Sequence, residues 1–480
     1  MSWRPLGAML GIVALLSGCG GGGGGSTTGA TAGTPTPTPT PVASAGCSLR
    51  ERQDWAAVQL REWYLFPDTL PAALDPTPYT TVDDYVDALT ATARSQRKDR
   101  YFTYLTSIKS EDAYYDSGMT AGFGIRLSID ASNRVLISEA FEGAPAAAAG
   151  IQRGSEIIAI GTRTTDLRSV GTIIAAEGQD GITDALGPST AGTTRVLHLS
   201  GVGGDRTITV AKDDYTLQPV SPIYGAKVID DGGAKIGYLN LRTFISTADP
   251  QLRAAFATFR AQGVTQMIVD LRYNGGGLLS TAELMGNLLG GNRVRSEVFD
   301  YVTYRSEKSS NNNTAFFAPQ PQSVSAMKIA FIGMGGTASA SELVINGFVP
   351  YLHANAGLIG TNTYGKPVGQ IALDRAACDD RLRVIAFALQ NANRQGAYYD
   401  GLATTVEASC QAADDLTRPL GDPAEASTRQ ALDYLAGRSC TPITATTLAK
   451  GTASSLRVGT MDLLVPARPS AAQREMPGLF

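Results

Sequence analysis

Histidine is nearly absent from this chain of 480 residues, which holds only His198 and His353. A metal centre built from several histidines is therefore excluded, and a Ser-His-Asp triad has two residues at most from which to draw its base. The chain also lacks an excess of either charge. Its 40 basic and 44 acidic side chains leave a net charge of −4, so nothing marks a nucleic acid or another strongly charged partner. Long apolar runs are missing as well: the one at residues 6–16 falls short of the roughly 20 residues that cross a bilayer. Cysteines number five, and their spacing fits no zinc site. What is present is a globular balance, 43% hydrophobic and 18% charged. The chain is too long for one ordinary core, so roughly two to three domains are expected.

The most informative stretch is Gly335-Gly336-Thr337-Ala338-Ser339-Ala340-Ser341-Glu342. An apolar run at residues 328–333 precedes it and reads as a short buried strand. Leu343, Val344, Ile345 and Phe348 follow at helical spacing. Small residues thus bridge a strand to a helix, with hydroxyls in the bend. That geometry exposes a serine above a sheet and aims helix amides at an anion. Taken alone, the stretch is more simply read as an N-cap at Thr337, Ser339 or Ser341.

Residues 1–18 read as a signal segment, with Arg4 ahead of the short apolar run. Leu16-Ser17-Gly18-Cys19 matches the lipobox of bacterial lipoproteins, which makes Cys19 the expected lipidation site. Residues 19–46, with glycines at 20–25 and a Thr-Pro repeat at 34–41, form a tether that is first flexible and then extended. The chain is therefore expected in the bacterial cell envelope, lipid-anchored in the periplasm. Gly20 stands where an acidic residue would signal inner-membrane retention, which points to the outer membrane. Cys47, Cys378, Cys410 and Cys440 are an even number in an exported chain and suggest two disulfides. Three pairings are open. Nearness in sequence favours Cys378 with Cys410, which leaves Cys47 for Cys440.

Residues 47–117 read as a helical region, since Trp55, Val58, Leu60, Trp63 and Tyr64 recur at helix-like intervals and residues 82–93 form a second amphipathic stretch. Arg94, Arg97, Lys98 and Arg100 read as a solvated helix end. Residues 118–214 change to a β-rich module, opened by Gly122-Phe123-Gly124-Ile125, a glycine loop able to offer backbone amides to an anion. From residue 215 to 440 strands and helices alternate, as in an α/β layer around a sheet. Residues 305–322 read as a mobile loop and residues 441–480 as a weakly patterned, partly disordered C-terminal tail. The fold class is a multidomain α+β and α/β chain.

The glycine loop and the elements after it resemble a PDZ domain, in which such a loop captures a free C-terminus while the peptide adds as a β-strand. Three further segments converge: Asp270-Leu271-Arg272-Tyr273-Asn274-Gly275-Gly276-Gly277, then the bend from Thr337 to Glu342, then Gly360-Thr361-Asn362-Thr363-Tyr364-Gly365-Lys366-Pro367-Val368-Gly369-Gln370. With the module before them they resemble the carboxyl-terminal processing peptidases, also called tail-specific proteases. The resemblance implies a ClpP/crotonase-like α/β core and a serine endopeptidase with a Ser/Lys dyad and no cofactor or metal. By that resemblance Ser339, not Ser341, is the nucleophile, Lys366 the base and Gln370 its orienter. The oxyanion donors are the amides of Ala340 and Gly276. Gly122, Phe123, Gly124 and Ile125 bind the substrate. The implied partners are polypeptides with free C-termini, and the oligomeric state is left open.

The chemistry of the residues agrees. A serine hydroxyl needs an adjacent base, and a lysine serves only when neutral, which burial promotes. Two positions depart from the family pattern: Gly275 stands in place of a proline and Pro367 in place of a glycine. Ser325-Ala326-Met327-Lys328 and Ser95-Gln96-Arg97-Lys98 match the Ser-x-x-Lys pattern of penicillin-binding enzymes, but neither Ser-Asp-Asn nor Lys-Thr-Gly accompanies them. Both histidines read as structural, with His353 the alternative base. The rival from another class is an inactive peptide-binding or adaptor lipoprotein; retention of Ser339, Lys366 and Gln370 favours the enzyme.

Overall fold

Parallel strands covered on both faces read as unbroken apolar runs, and such runs build the centre of the molecule. The computed structural model describes residues 46–444 and 461–480; the signal segment, Cys19 and nearly all of the tether lie outside the described residues. Strands Gln266–Asp270, Lys328–Gly333 and Ala356–Gly360 lie side by side and parallel in a six-stranded sheet. Ala234–Asn240 extends it on one side, with Ala226–Asp231 antiparallel beyond, and Ala408–Gln411 closes the other edge. Met267, Val269, Ile329 and Phe331 point to one face, where Phe256, Leu288 and Phe348 of helices Ala248–Ala261, Leu279–Leu289 and Ala340–Leu352 meet them. Ile268, Ala330, Ile332 and Ile359 point to the other, against Ala431, Leu432 and Leu435 of helix Ala426–Leu435. Each of the larger of these side chains contributes about 1.5–3 kcal/mol when buried. The two packed faces therefore fix the strand ends from which the glycine turn and the serine bend emerge side by side.

The β-module has its own core. Strands Ile125–Ile129, Val135–Ala140, Glu156–Gly161, Thr194–Ser200 and Arg206–Ala211 follow one another in its sheet. Phe123, Ile125, Leu127 and Leu197 pack on Ile173 and Ile182 of helices Val170–Glu177 and Asp180–Leu186. The module is joined to the core by buried ion pairs: Glu139, already paired with the module's own Arg126 at 3.2 Å, takes Arg242 at 2.7 Å, and Arg153 takes Asp414 at 2.7 Å. The amino-terminal helices Leu49–Trp63 and Val82–Leu89 are capped by Ser48 and Thr81. They pack on Val368, Leu382, Val384 and Ile385 of a second, five-stranded sheet.

Three expectations are corrected. The disulfides join Cys47 to Cys378 and Cys410 to Cys440. Nearness in sequence misleads because the two cysteines sit on different sheets: Cys378 lies just before strand Asp380–Gln390 of the second sheet, beside the first helix, and Cys410 on the edge strand of the central sheet. Residues 305–322 include a 3-10 turn, Ser306–Asn311, and a strand, Asn313–Phe316, that pairs with Val298–Tyr304. Residues 461–480 are ordered against the rest of the molecule: Asp462–Leu463 adds to the module's edge, Ala471–Glu475 is a helix, and Leu464, Met476, Leu479 and Phe480 are buried. Elements this short bury residues at no regular period, so neither the helical nor the strand template finds them.

Candidate active site

The bend after Lys328–Gly333 is strained at one residue. Ser339, the N-cap of helix Ala340–Leu352, has φ 55° and ψ −117°, a conformation that side-chain-bearing residues hold only when their surroundings impose it. Thr337 and Ser341 are buried and spent on the neighbouring strand end. Thr337 Oγ1 donates to the Leu271 carbonyl at 2.7 Å, and Ser341 Oγ donates to the Asn274 carbonyl at 2.9 Å. Ser339, half-buried at the apex, is the hydroxyl left over. The cap reading and the nucleophile reading are thus compatible in one residue.

Glu342 explains the strain. Its carboxylate is wholly buried and accepts the Ser339 amide at 3.1 Å, the Thr363 hydroxyl at 2.6 Å and the amides of Gly365 and Lys366 at 2.7 Å each. Burial pushes its pKa up, against the four donors that favour the charged form. One side chain thereby ties the serine bend to the lysine loop. Lys366 Nζ donates to Gln370 Oε1 at 2.9 Å and lies 5.1 Å from the centroid of the Phe102 ring. Gln370 Nε2 donates in turn to the Phe102 carbonyl, which aims Oε1 at the lysine. Burial pulls the Lys366 pKa down; Arg474 and Arg383 act in the same sense, while Glu475 and Asp99 oppose it.

The glycine turn is anchored by charge. Arg272, fully buried, pairs with Asp270, Glu425 and Asp414 at 2.9–3.0 Å. Asn274 Nδ2 donates to the Leu241 carbonyl, and the Ala338 amide donates to the Asn274 carbonyl. A Cβ on Gly276 would lie 2.8 Å from Ser339 Cβ, so only glycine lets the turn approach the bend. The Gly276 amide is engaged, donating to Asn274 Oδ1 at 2.9 Å. It is the Gly275 amide that meets a peptide carbonyl, that of Glu475, at 2.8 Å. Ala340 opens its helix, where amides lack partners within the helix.

Gly122, Phe123, Gly124 and Ile125 lie in the module. The amides of Gly124 and Ile125 donate to the Phe480 carbonyl, whereas the Phe123 side chain is in the module's core. Neither histidine enters the site: His198 pairs with Asp205, and His353, 64% exposed, pairs with Glu407. Sequence reasoning missed three residues. Glu342 carried a signal, the Ser-x-x-Glu capping-box spacing from Ser339. Asn274 carried none. Arg100, read as part of a solvated helix end, donates to the carbonyls of Tyr364 and Gly365 at 2.6 Å and stacks 4.0 Å from the Tyr364 ring.

Residues 235–399 match the model of peptidase family S41. That match covers about a third of the chain. A carboxyl-terminal-processing protease of Picosynechococcus is 27% identical over 254 residues, 52% of this chain and 55% of that protein. The carboxy-terminal processing protease CtpA of Bacillus subtilis is 26% identical over 298 residues, 61% of this chain and 57% of that one. The chain thus spans about half the length of the curated relatives it matches. A crystal structure from Bacteroides fragilis, described as a candidate S41 protease, superposes with a TM-score of 0.61 at 23% identity, covering 80% of this chain and 97% of that one. That likeness is one of fold. The three motifs that carry the family resemblance, and with them Ser339 and Lys366, all fall inside the matched residues.

Proposed function

We propose that this chain is a serine endopeptidase that cuts polypeptides near their C-termini with a Ser339/Lys366 dyad. One observation carries the reading: the same oxygen of Glu342 accepts the Ser339 and Lys366 amides, so a strained serine and a lysine with a depressed pKa are held to one point. Ser339 Oγ adds to the peptide carbonyl while neutral Lys366 takes its proton. The oxyanion is met by the Ala340 amide and by the glycine turn; one such donor is worth about 3–4 kcal/mol in the transition state. With the Gly276 amide held by Asn274 within its own turn, the Gly275 amide, which here meets the Glu475 carbonyl, is the turn's donor once that carbonyl leaves. Collapse expels the amine, which takes the proton from Lys366 and leaves an acyl group on Ser339. Water, giving its proton to Lys366, then hydrolyses the ester and restores the serine.

The β-module of residues 118–214 acts in this reading as a PDZ-like receptor for the substrate's C-terminus, through the loop of Gly122, Phe123, Gly124 and Ile125. The names of the relatives support an action at carboxyl ends. Residues 215–440 are the protease core, and lipidation at Cys19 would hold both at the periplasmic face of the outer membrane. The test is cleavage of an unstructured polypeptide such as β-casein by the purified chain. Ser339→Ala and Lys366→Ala should abolish cleavage with circular dichroism unchanged. Full activity in either variant rejects the dyad.

A further inference from the structure

Residues 461–480 occupy both ends of the proposed substrate path. We propose that this segment is an intramolecular pseudosubstrate: it fills the module's peptide groove with an aromatic residue, covers the dyad, and must leave before a substrate enters. Its inhibitory consequence rests on the peptidase reading above; its occupancy of the groove does not.

At the groove, the segment adds to the edge strand Ile125–Ile129 in two pieces. Leu463 and Asp462 pair antiparallel with Ser128 and Ile129. Further on, the Leu127 amide donates to the Gly478 carbonyl at 2.8 Å and the Phe480 amide to the Ile125 carbonyl at 2.9 Å. The Gly124 and Ile125 amides close on the Phe480 carbonyl at 2.9 and 3.2 Å. A Cβ on Gly122 would lie 2.9 Å from the Phe480 carbonyl carbon, so the loop's glycine is what admits the peptide. Phe480 is only 3% exposed and packs in the module's core. This is strand addition with a pocket for one side chain, and the ligand it fits is an extended peptide bearing a bulky aromatic residue at that position.

Between the two pieces the segment crosses the cleft. The Glu475 carbonyl takes the Gly275 amide. Glu475 Oε1 accepts the Tyr115 hydroxyl at 2.9 Å, while Oε2 is buried without a hydrogen-bond partner; the carboxylate's charge favours the protonated form of Lys366. Arg474 donates to the Tyr101 carbonyl and stacks 3.7 Å from the Tyr104 ring. Arg468 bridges Asp84 and Asp87. A substrate carbonyl cannot use the Gly275 amide while Glu475 holds it. Because the segment sits on a sheet edge, it can leave without breaking any strand pair inside the sheet.

The test compares the full chain, a chain ending at residue 460, and the full chain with Phe480→Asp, which disfavours docking and covers the case in which the truncation fails to fold. A fluorescein-labelled peptide of residues 471–480 should bind both variants about tenfold or more tightly than the unaltered chain, where the attached segment competes for the groove. β-Casein cleavage should rise in both variants and fall again when unlabelled peptide is added. If the peptide discriminates but no form cleaves, occupancy stands and the peptidase reading fails. Equal peptide affinity in all three forms, or equal cleavage by all three in active preparations, overturns the proposal.

Discussion

Replacing Glu342 by Gln changes almost no volume and removes one acceptor. The two oxygens of Glu342 divide their work: Oε1 serves Thr363 and Gly365, Oε2 serves Ser339 and Lys366. A glutamine that keeps its oxygen towards Thr363 turns an NH2 group towards two amide donors. Hydrogen bonds to a charged group contribute about 1.5–3 kcal/mol each, so the pair at risk is worth roughly 3–6 kcal/mol if nothing relaxes. The bend and the lysine loop recover part of that by separating. A shift of about 1 Å between reacting groups is enough to lower the rate about 100-fold. We expect kcat on β-casein to fall by about that factor with KM little changed. The thermal midpoint should drop while unfolding stays cooperative. Binding of the labelled 471–480 peptide should be unaffected, which separates positioning from general damage. A variant with kcat within about twofold of the unaltered chain would refute the claim that Glu342 holds the dyad together.

Ser341→Ala, which loses one buried hydrogen bond worth about 1 kcal/mol, should retain measurable cleavage. Activity abolished as in Ser339→Ala would move the nucleophile or give Ser341 a direct part. The cleavage rate should rise with pH as Lys366 loses its proton, and because burial depresses that pKa the midpoint must lie below the ordinary lysine value of 10.5; a midpoint at or above it contradicts the neutral-base mechanism. Peptide mapping without reduction should recover Cys47 linked to Cys378 and Cys410 linked to Cys440. A Cys378–Cys410 peptide would contradict the structure.

The central sheet was legible because buried parallel strands are apolar throughout: residues 328–333, read as one buried strand, are the strand that delivers Ser339. The module's glycine loop was legible for a related reason, since close backbone approach needs glycine at Gly122 and Gly124. The rest fell to long-range pairing that periodicity does not encode. Arg100 looked like a solvated cation because its acceptors, three backbone carbonyls, lie more than 260 residues away. Cys47 and Cys378 are 331 residues apart. Residues 461–480 carry scattered apolar positions that make sense only against a groove and a cleft built elsewhere. Glu342 stood inside the most conspicuous motif, yet its role depends on Thr363 and Lys366 arriving from another loop.

The dyad itself is tested most directly by mass spectrometry of the full chain after prolonged exposure to a fluorophosphonate at alkaline pH, with peptide mapping of the adduct. The account predicts one adduct, on Ser339, that is lost in Lys366→Ala; an adduct on Ser341, an adduct unaffected by Lys366→Ala, or none at any serine would contradict it.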